Sequence, residues 1–276
     1  MSGIWSLLWP AVFAGGVAIG VTVAIERLGG RLGGLIGTLP TTIVPASLGI
    51  YLQCQDTAAF ADAMGAVPAG MLVDVGFLFI WGVLPPRLPA AGLGTRLAMM
   101  VVISLLGWCV CAYGFVLGLQ SLKAAAVPPL VAGAALMGLS VVAGVLACLR
   151  APPAPAGNRS VGPVTLVLRG VLAGLAIAVA VWLARLGPTI AGMASVFPAI
   201  FLTTMASLWI SQGEAVQSGA VGPMMLGSAS VSAFALAAAV LMPALGPGLG
   251  AAVAWVLSVL VVTVPAWVWL RRRARD

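Results

Sequence analysis

Nine stretches of this chain are each apolar for about the 20 residues that a helix needs to cross a bilayer, and that repetition leaves few folds open. They run from Ile4 to Ile25, Gly33 to Gln53, Ala61 to Leu84, Leu97 to Leu119, Val127 to Leu149, Val164 to Leu183, Thr189 to Ile210, Gln217 to Met242 and Leu249 to Leu270. Gly, Pro or charged residues punctuate them. With 62% hydrophobic and only 7% charged residues, the chain lacks the polar material for a water-facing surface. The expectation is an all-α polytopic membrane protein of about nine transmembrane helices, with the lipid bilayer as its first partner. The first run has no Lys or Arg before it and is longer than a signal-peptide core, so it reads as a retained span.

A net charge of +7 would suit nucleic acid, but the basic residues sit in short loops between apolar runs, where membrane topology accounts for them. Nucleic acid is therefore set aside as a partner. With the N-terminus outside, the inner loops and tail carry Arg27, Arg31, Arg87, Arg96, Arg150, Arg159, Arg271, Arg272, Arg273 and Arg275. The outer loops keep Lys123 and Arg185, and Arg169 sits one turn inside the sixth run, where it can snorkel to the headgroups. Excess Lys and Arg marks the cytoplasmic side, so the orientation expected is N-out and C-in.

Chemistry is sparse. Histidine is absent and the four cysteines lie in or beside apolar runs, which argues against a metal centre and a disulfide framework. No cluster of Cys or paired carboxylates faces a common point, and no Gly-rich loop of the phosphate-binding kind occurs. The chain reads as neither an enzyme nor an ATP-driven pump, and no cofactor is expected.

"RLGGRLGGLIGTLP" (Arg27 to Pro40) lies without a gap over "RLGPTIAGMASVFP" (Arg185 to Pro198), sharing R-L-G-x4-G-x5-P. Further on, "GAVPAGML" (Gly65 to Leu72) falls on "GAVGPMML" (Gly219 to Leu226), and "LGTRL" (Leu93 to Leu97) on "LGPGL" (Leu245 to Leu249). Apolar composition accounts for some of these identities. It does not account for the order of three blocks, nor for the shared Arg and Pro. The chain divides accordingly into a first four-helix repeat (1–122), a linking transmembrane helix with a Pro/Ala-rich cytoplasmic linker (123–163), and a second four-helix repeat with a basic cytoplasmic tail (164–276). Five spans precede the second copy, so the repeats are inverted, as in secondary transporters that rock around a midplane site built from discontinuous helices.

The second and seventh runs are the candidates for those helices. Proline lacks the N–H that would bond the carbonyl four residues back, so Pro40 frees that of Ile36 and Pro198 that of Ala194. The hydroxyls of Thr41, Thr42, Thr203 and Thr204 can satisfy those carbonyls or face a substrate. Either run alone reads as an ordinary proline kink, and recurrence at equivalent positions is what points to a site. Of the six acidic residues, Asp74 is the one deep within a span. A carboxylate there indicates proton or cation handling, or a structural hydrogen bond inside the bundle. Its neighbours Gly70 and Ala66 make a small-residue face suited to helix packing, and the repeat sets Ser228 opposite it, with Ser230 nearby. Asp56 and Glu214 align after the two broken runs at opposite faces and read as symmetric gates or as ordinary interfacial charges, as does Asp62. Glu26 pairs with a neighbouring Arg or is solvated.

The motif carried by "GGLIGTLPTTIVPASLG" and "AGMASVFPAIFLTTMAS" resembles the GlpM-like small inner-membrane proteins of bacteria. Those chains are about the size of one repeat, with roughly four spans. The resemblance implies a fused, inverted duplication of such a unit in a bacterial inner (plasma) membrane, and a loose link to exopolysaccharide production. In the first copy, Pro45 and Gly30 depart from Thr203 and Pro188 of the second, so the two helices need not bend alike. The residues together favour a secondary, proton-coupled transporter of a small solute or ion, acting alone or as a homodimer. The competing expectation is a non-transporting accessory protein of envelope polysaccharide or lipid metabolism, with a packed, dry centre.

Overall fold

The computed structural model describes residues 8–16, 19–20, 39–150, 162–183 and 185–273. Glu26, Arg27, Arg31, Ile36, Arg159, Arg275 and the side chain of Arg169 lie outside the described residues. The described chain is helix and turn with no strand, and seven of its helical stretches, three of them made of successive helices, are long and apolar enough to cross a membrane. The protein is an integral membrane protein of the polytopic, all-helical kind.

Pro40 lies in a turn over 39–42. After it comes α1 (Ile43–Gln53), whose 11 residues rise only about 16 Å, half the hydrocarbon thickness. The second apolar run is thus not a continuous helix across its described length. α2 (Thr57–Val83) begins where the Asp56 carboxylate accepts the Ala59 N–H at 2.7 Å, a side-chain cap for a first-turn donor that has no partner within the helix. A short 3-10 turn (Pro85–Arg87) leads to α3 (Leu93–Ala124), followed by α4 (Pro129–Arg150) and α5 (Pro163–Leu183).

The seventh run is divided as its proline requires, into α6 (Pro188–Ala194) and α7 (Ala199–Gln212), with Pro198 immediately before α7. The eighth is two helices, not one, α8 (Glu214–Gly227) and α9 (Ala229–Leu245), meeting at Ser228. Gly213 and Gly246 take φ of 87° and 82° at the ends of α7 and α9, a left-handed geometry that a Cβ disfavours, so each reversal is made by a single residue. The last run holds α10 (Pro247–Ser258), a π turn (Val259–Thr263) and α11 (Val264–Arg273). Pro265 follows that turn, and its missing N–H explains why the regular ladder gives way there.

α2 is the hub, packing on α3, α4, α6, α8 and α9. Of its most apolar stretch 78% is buried, against 22% for α3, so α3 shows lipid most of its surface while α2 shows it little. The close approach of α6 to α2 depends on Gly192, where a Cβ would run into the Ala63 carbonyl oxygen and come within 3.1 Å of the Ala66 methyl. Gly82 of α2 faces Val221 of α8, while Gly133 of α4 lies between Gly65 and Pro68 of α2 on one side and Leu236 of α9 on the other. α2 therefore runs antiparallel to the α8–α9 pair. Asp74 and Ser228 lie roughly 12 and 11 Å along their helices from the Gly82–Val221 contact, so they share one depth.

Candidate functional site

Asp74 is 1% exposed on α2, and its Oδ1 accepts the Trp108 Nε1–H of α3 at 2.7 Å. Trp108 in turn meets Phe197 edge to face, with ring centroids 5.2 Å apart and planes at 78°. Phe197 belongs to the turn between α6 and α7, one residue before Pro198. The carboxyl and the second helix break are joined through one indole. One turn from Asp74, Gly70 packs on Val196 and Met193 of the same broken segment, so the small-residue face of α2 carries the break against it.

The hydroxyls of Thr41, Thr203, Thr204 and Ser228 bond main-chain carbonyls nearby. Thr203 Oγ1 donates to the carbonyls of Ala199 and Ile200 at 2.9 and 3.1 Å, and Thr204 Oγ1 to that of Ile200 at 2.7 Å, all within α7. Neither serves the carbonyl that Pro198 frees. Ala194 O accepts instead the Phe197 N–H at 3.1 Å, because a tightened turn brings a main-chain donor closer than any side chain. Thr41 Oγ1 reaches back to Leu39 O at 3.3 Å, and Thr42 begins α1 without a side-chain capping bond. Pro40 is buried at the head of α1, which packs chiefly on α5 and α10 and more lightly on α9 and α2. Ser228, fully buried at the depth of Asp74, donates to Met225 O at 2.7 Å.

The acidic residues at the ends also sort differently from the aligned pair of the sequence. Asp56 is exposed and caps α2. The acid that meets a cation at that end is Asp62, bonded by Lys123 at the end of α3. At the opposite end Glu214 pairs with Arg96 at 3.0 Å, the two side chains 30% and 26% exposed. A pair this wet contributes about 0–1 kcal/mol, weak enough to part without unfolding anything. The single helix α3 thus holds a cation at each end of the bundle and Trp108 between them.

Sequence reasoning missed Trp108 and Ser232. The signal for Trp108 was its depth, since a mid-span indole must find an acceptor for its N–H, whereas those near span ends find headgroups. Ser232 lies one turn beyond Ser228, fully buried, with its hydroxyl unpartnered. Among the described residues no three His, Cys, Asp or Glu gather as a metal site.

Cys54, in the loop between α1 and α2, has its thiol pushed up to about 11, by burial first and then by the carboxylates of Asp56 and Asp62. The thiolate is the nucleophile, so near pH 8 alkylation at Cys54 should run at about a hundredth of the rate of an ordinary thiol and climb until the pH passes 11. Asp56→Asn, which keeps the cap oxygen and removes one charge, should speed it. Iodoacetamide labelling read by mass spectrometry across pH checks both, and a profile levelling near pH 9 contradicts them.

Comparison with protein-family models, curated proteins and solved structures finds no match to this chain.

Proposed function

We propose that this protein is a secondary transporter of a small solute, coupled to protons through Asp74, with its site near the membrane midplane between α2, α3 and the break before Pro198. The supporting observation is the Asp74–Trp108–Phe197 chain, which ties a buried, protonatable group to a discontinuous helix. Two inverted repeats account for the antiparallel course of α2 and α8–α9, and for the shared depth of Asp74 and Ser228. The arginines fit N-out and C-in. Arg87, Arg96, Arg150 and Arg271–Arg273 gather at the end where Arg273 bonds Leu149 O and Arg96 bonds Glu214, while Lys123 lies at the other.

In this reading the pairs Asp62–Lys123 and Arg96–Glu214 close the two mouths in alternation, and exchange of a proton at Asp74 alters its hold on Trp108. A lone central carboxyl favours a neutral or cationic solute over an anion.

The test is carbodiimide labelling of the purified protein across pH, with Asp74→Asn as control. Labelling at Asp74 that falls as pH rises, vanishes in the variant and changes when solutes are added supports the transporter. One observation favours the accessory reading, namely the close packing of Gly70 on Val196 and Met193 one turn from Asp74, which suits a static scaffold. Absence of labelling at every pH, in a protein as stable as Asp74→Asn, would give that reading the field.

A further inference from the structure

The end of the bundle that carries Arg96 holds a second buried polar group, separate from Asp74. Gln217, in the first turn of α8, is fully buried, and its Nε2 donates to the main-chain oxygen of Trp81 at 3.1 Å and to the sulfur of Met205 at 3.2 Å. Trp81, also fully buried, meets Trp209 edge to face at 5.8 Å. The Arg96 guanidinium lies 5.6 Å from the centre of the Trp209 ring, while its Nη2 bonds Glu214 Oε2 at 3.0 Å and Pro85 O at 2.7 Å. Seven residues, from four helices and the 3-10 turn, form one linked set.

Within that set the indole Nε1 of Trp81, the amide Oε1 of Gln217 and the Nε of Arg96 are buried without a hydrogen-bond partner. They are three of the five such atoms among the described residues, the others being Ser232 Oγ and Thr263 Oγ1. Unpaired polar atoms are costly in a low-dielectric interior, and three of them on residues of one linked cluster call for a guest. The guest's chemistry follows from theirs. Two are N–H donors and one is an acceptor, and a hydroxyl is the neutral group that accepts from an N–H and donates to an amide oxygen at once.

We propose that Trp81, Gln217 and Arg96 form a binding station for hydroxyl groups, those of water or of a small polyhydroxy solute, entered past the Arg96–Glu214 pair. The solute arm rests on the transporter reading, whereas the water arm stands without it. Glu214 begins α8 directly after Gly213 and is only loosely held by Arg96, so it is placed to act as the door of this station.

The test uses the full chain with Cys54, Cys109, Cys111 and Cys148 replaced by alanine. Met205→Cys is the reporter, because its sulfur sits on the Gln217 amide and leaves the three unpartnered groups intact. A charged methanethiosulfonate reagent is expected to modify it in detergent, several-fold faster after Glu214→Gln. Met242→Cys, equally buried but apolar in its surroundings, is expected to stay unmodified. Slowing by mannitol, but not by a polyethylene glycol of matched osmolality, identifies a solute hydroxyl as the guest, and no slowing identifies water. Gln217→Cys is the second reporter should the first fail to fold. If neither reporter reacts, with or without Glu214→Gln, the station does not exist. Carbodiimide labelling of Asp74 on the same preparation keeps this outcome distinct from failure of the transporter reading.

Discussion

Asp74→Ala is expected to unfold at a clearly lower temperature than the parent, while Asp74→Asn stays close to it. The alanine strands the Trp108 indole N–H in a buried setting where its acceptor stood at 2.7 Å, and an orphaned donor of this kind costs about 1–3 kcal/mol. Asparagine keeps an oxygen for the indole but has no proton to exchange. Trp108→Phe, which removes the donor instead, should cost a similar amount. The two truncations are in direct contact, so the double variant Asp74→Ala/Trp108→Phe should lose less than their sum by about 0.5–3 kcal/mol. Thermal unfolding of the four variants in detergent measures this cycle. Strict additivity would mean that the bond contributes nothing. With Asp74→Asn expected to keep the fold, that variant is the one in which the proposed proton coupling is tested apart from damage to the bundle.

Gly192→Val should be more severe, lowering the yield of folded protein and costing about 1–3 kcal/mol or more, since the neighbour it strikes is backbone and cannot rotate away. The α6–α2 contact that closes over Ala63 would have to open, and with it the seat of Val196 on Gly70. Gly138→Val is the matched control. Gly138 lies within α4 with open space around it, so the same change should leave stability level or raise it slightly, valine being the better helix former. Equal yields and equal midpoints for the two variants would show that α6 is not held against α2 as described. The consequence for function is direct, because α6 and the turn after it carry Phe197 to Trp108.

Much of the membrane architecture is legible from runs of residues. The helices over Thr57–Val83, Leu93–Ala124, Pro129–Arg150 and Pro163–Leu183 begin and end within a few residues of the apolar stretches. The break before α7 falls at Pro198, because a missing N–H acts on its own helix whatever surrounds it. The inward aim of Asp74 is legible too, from the cost of a carboxyl facing lipid and from the small residues on its side of the helix. The destination of the threonine hydroxyls was not legible. Thr203 and Thr204 sit in the right place to bridge to a neighbour, yet the carbonyl one turn back is always within reach, and in a helix that near acceptor wins. The partners of the end charges were not legible for another reason. Aligning Asp56 with Glu214 compares positions along the chain, whereas Lys123 and Arg96 select their acids by which helix end lies beside α3.

From the sequence by itself came the properties that each segment carries alone, namely residence in a membrane, the positions of seven apolar helical stretches among the described residues, the place of the proline break before α7 and the presence of one deep carboxyl. Hydrophobic length and a missing backbone donor act locally, so no neighbour is needed to read them. The tertiary structure alone decided the partners, Trp108 for Asp74, Arg96 for Glu214, Lys123 for Asp62 and Gln217 for Trp81. These depend on which helices adjoin and at what register, and among helices of nearly uniform Ala, Gly, Val and Leu that choice rests on the fit of small residues against backbone, as at Gly192 and Gly65, which no single segment reveals.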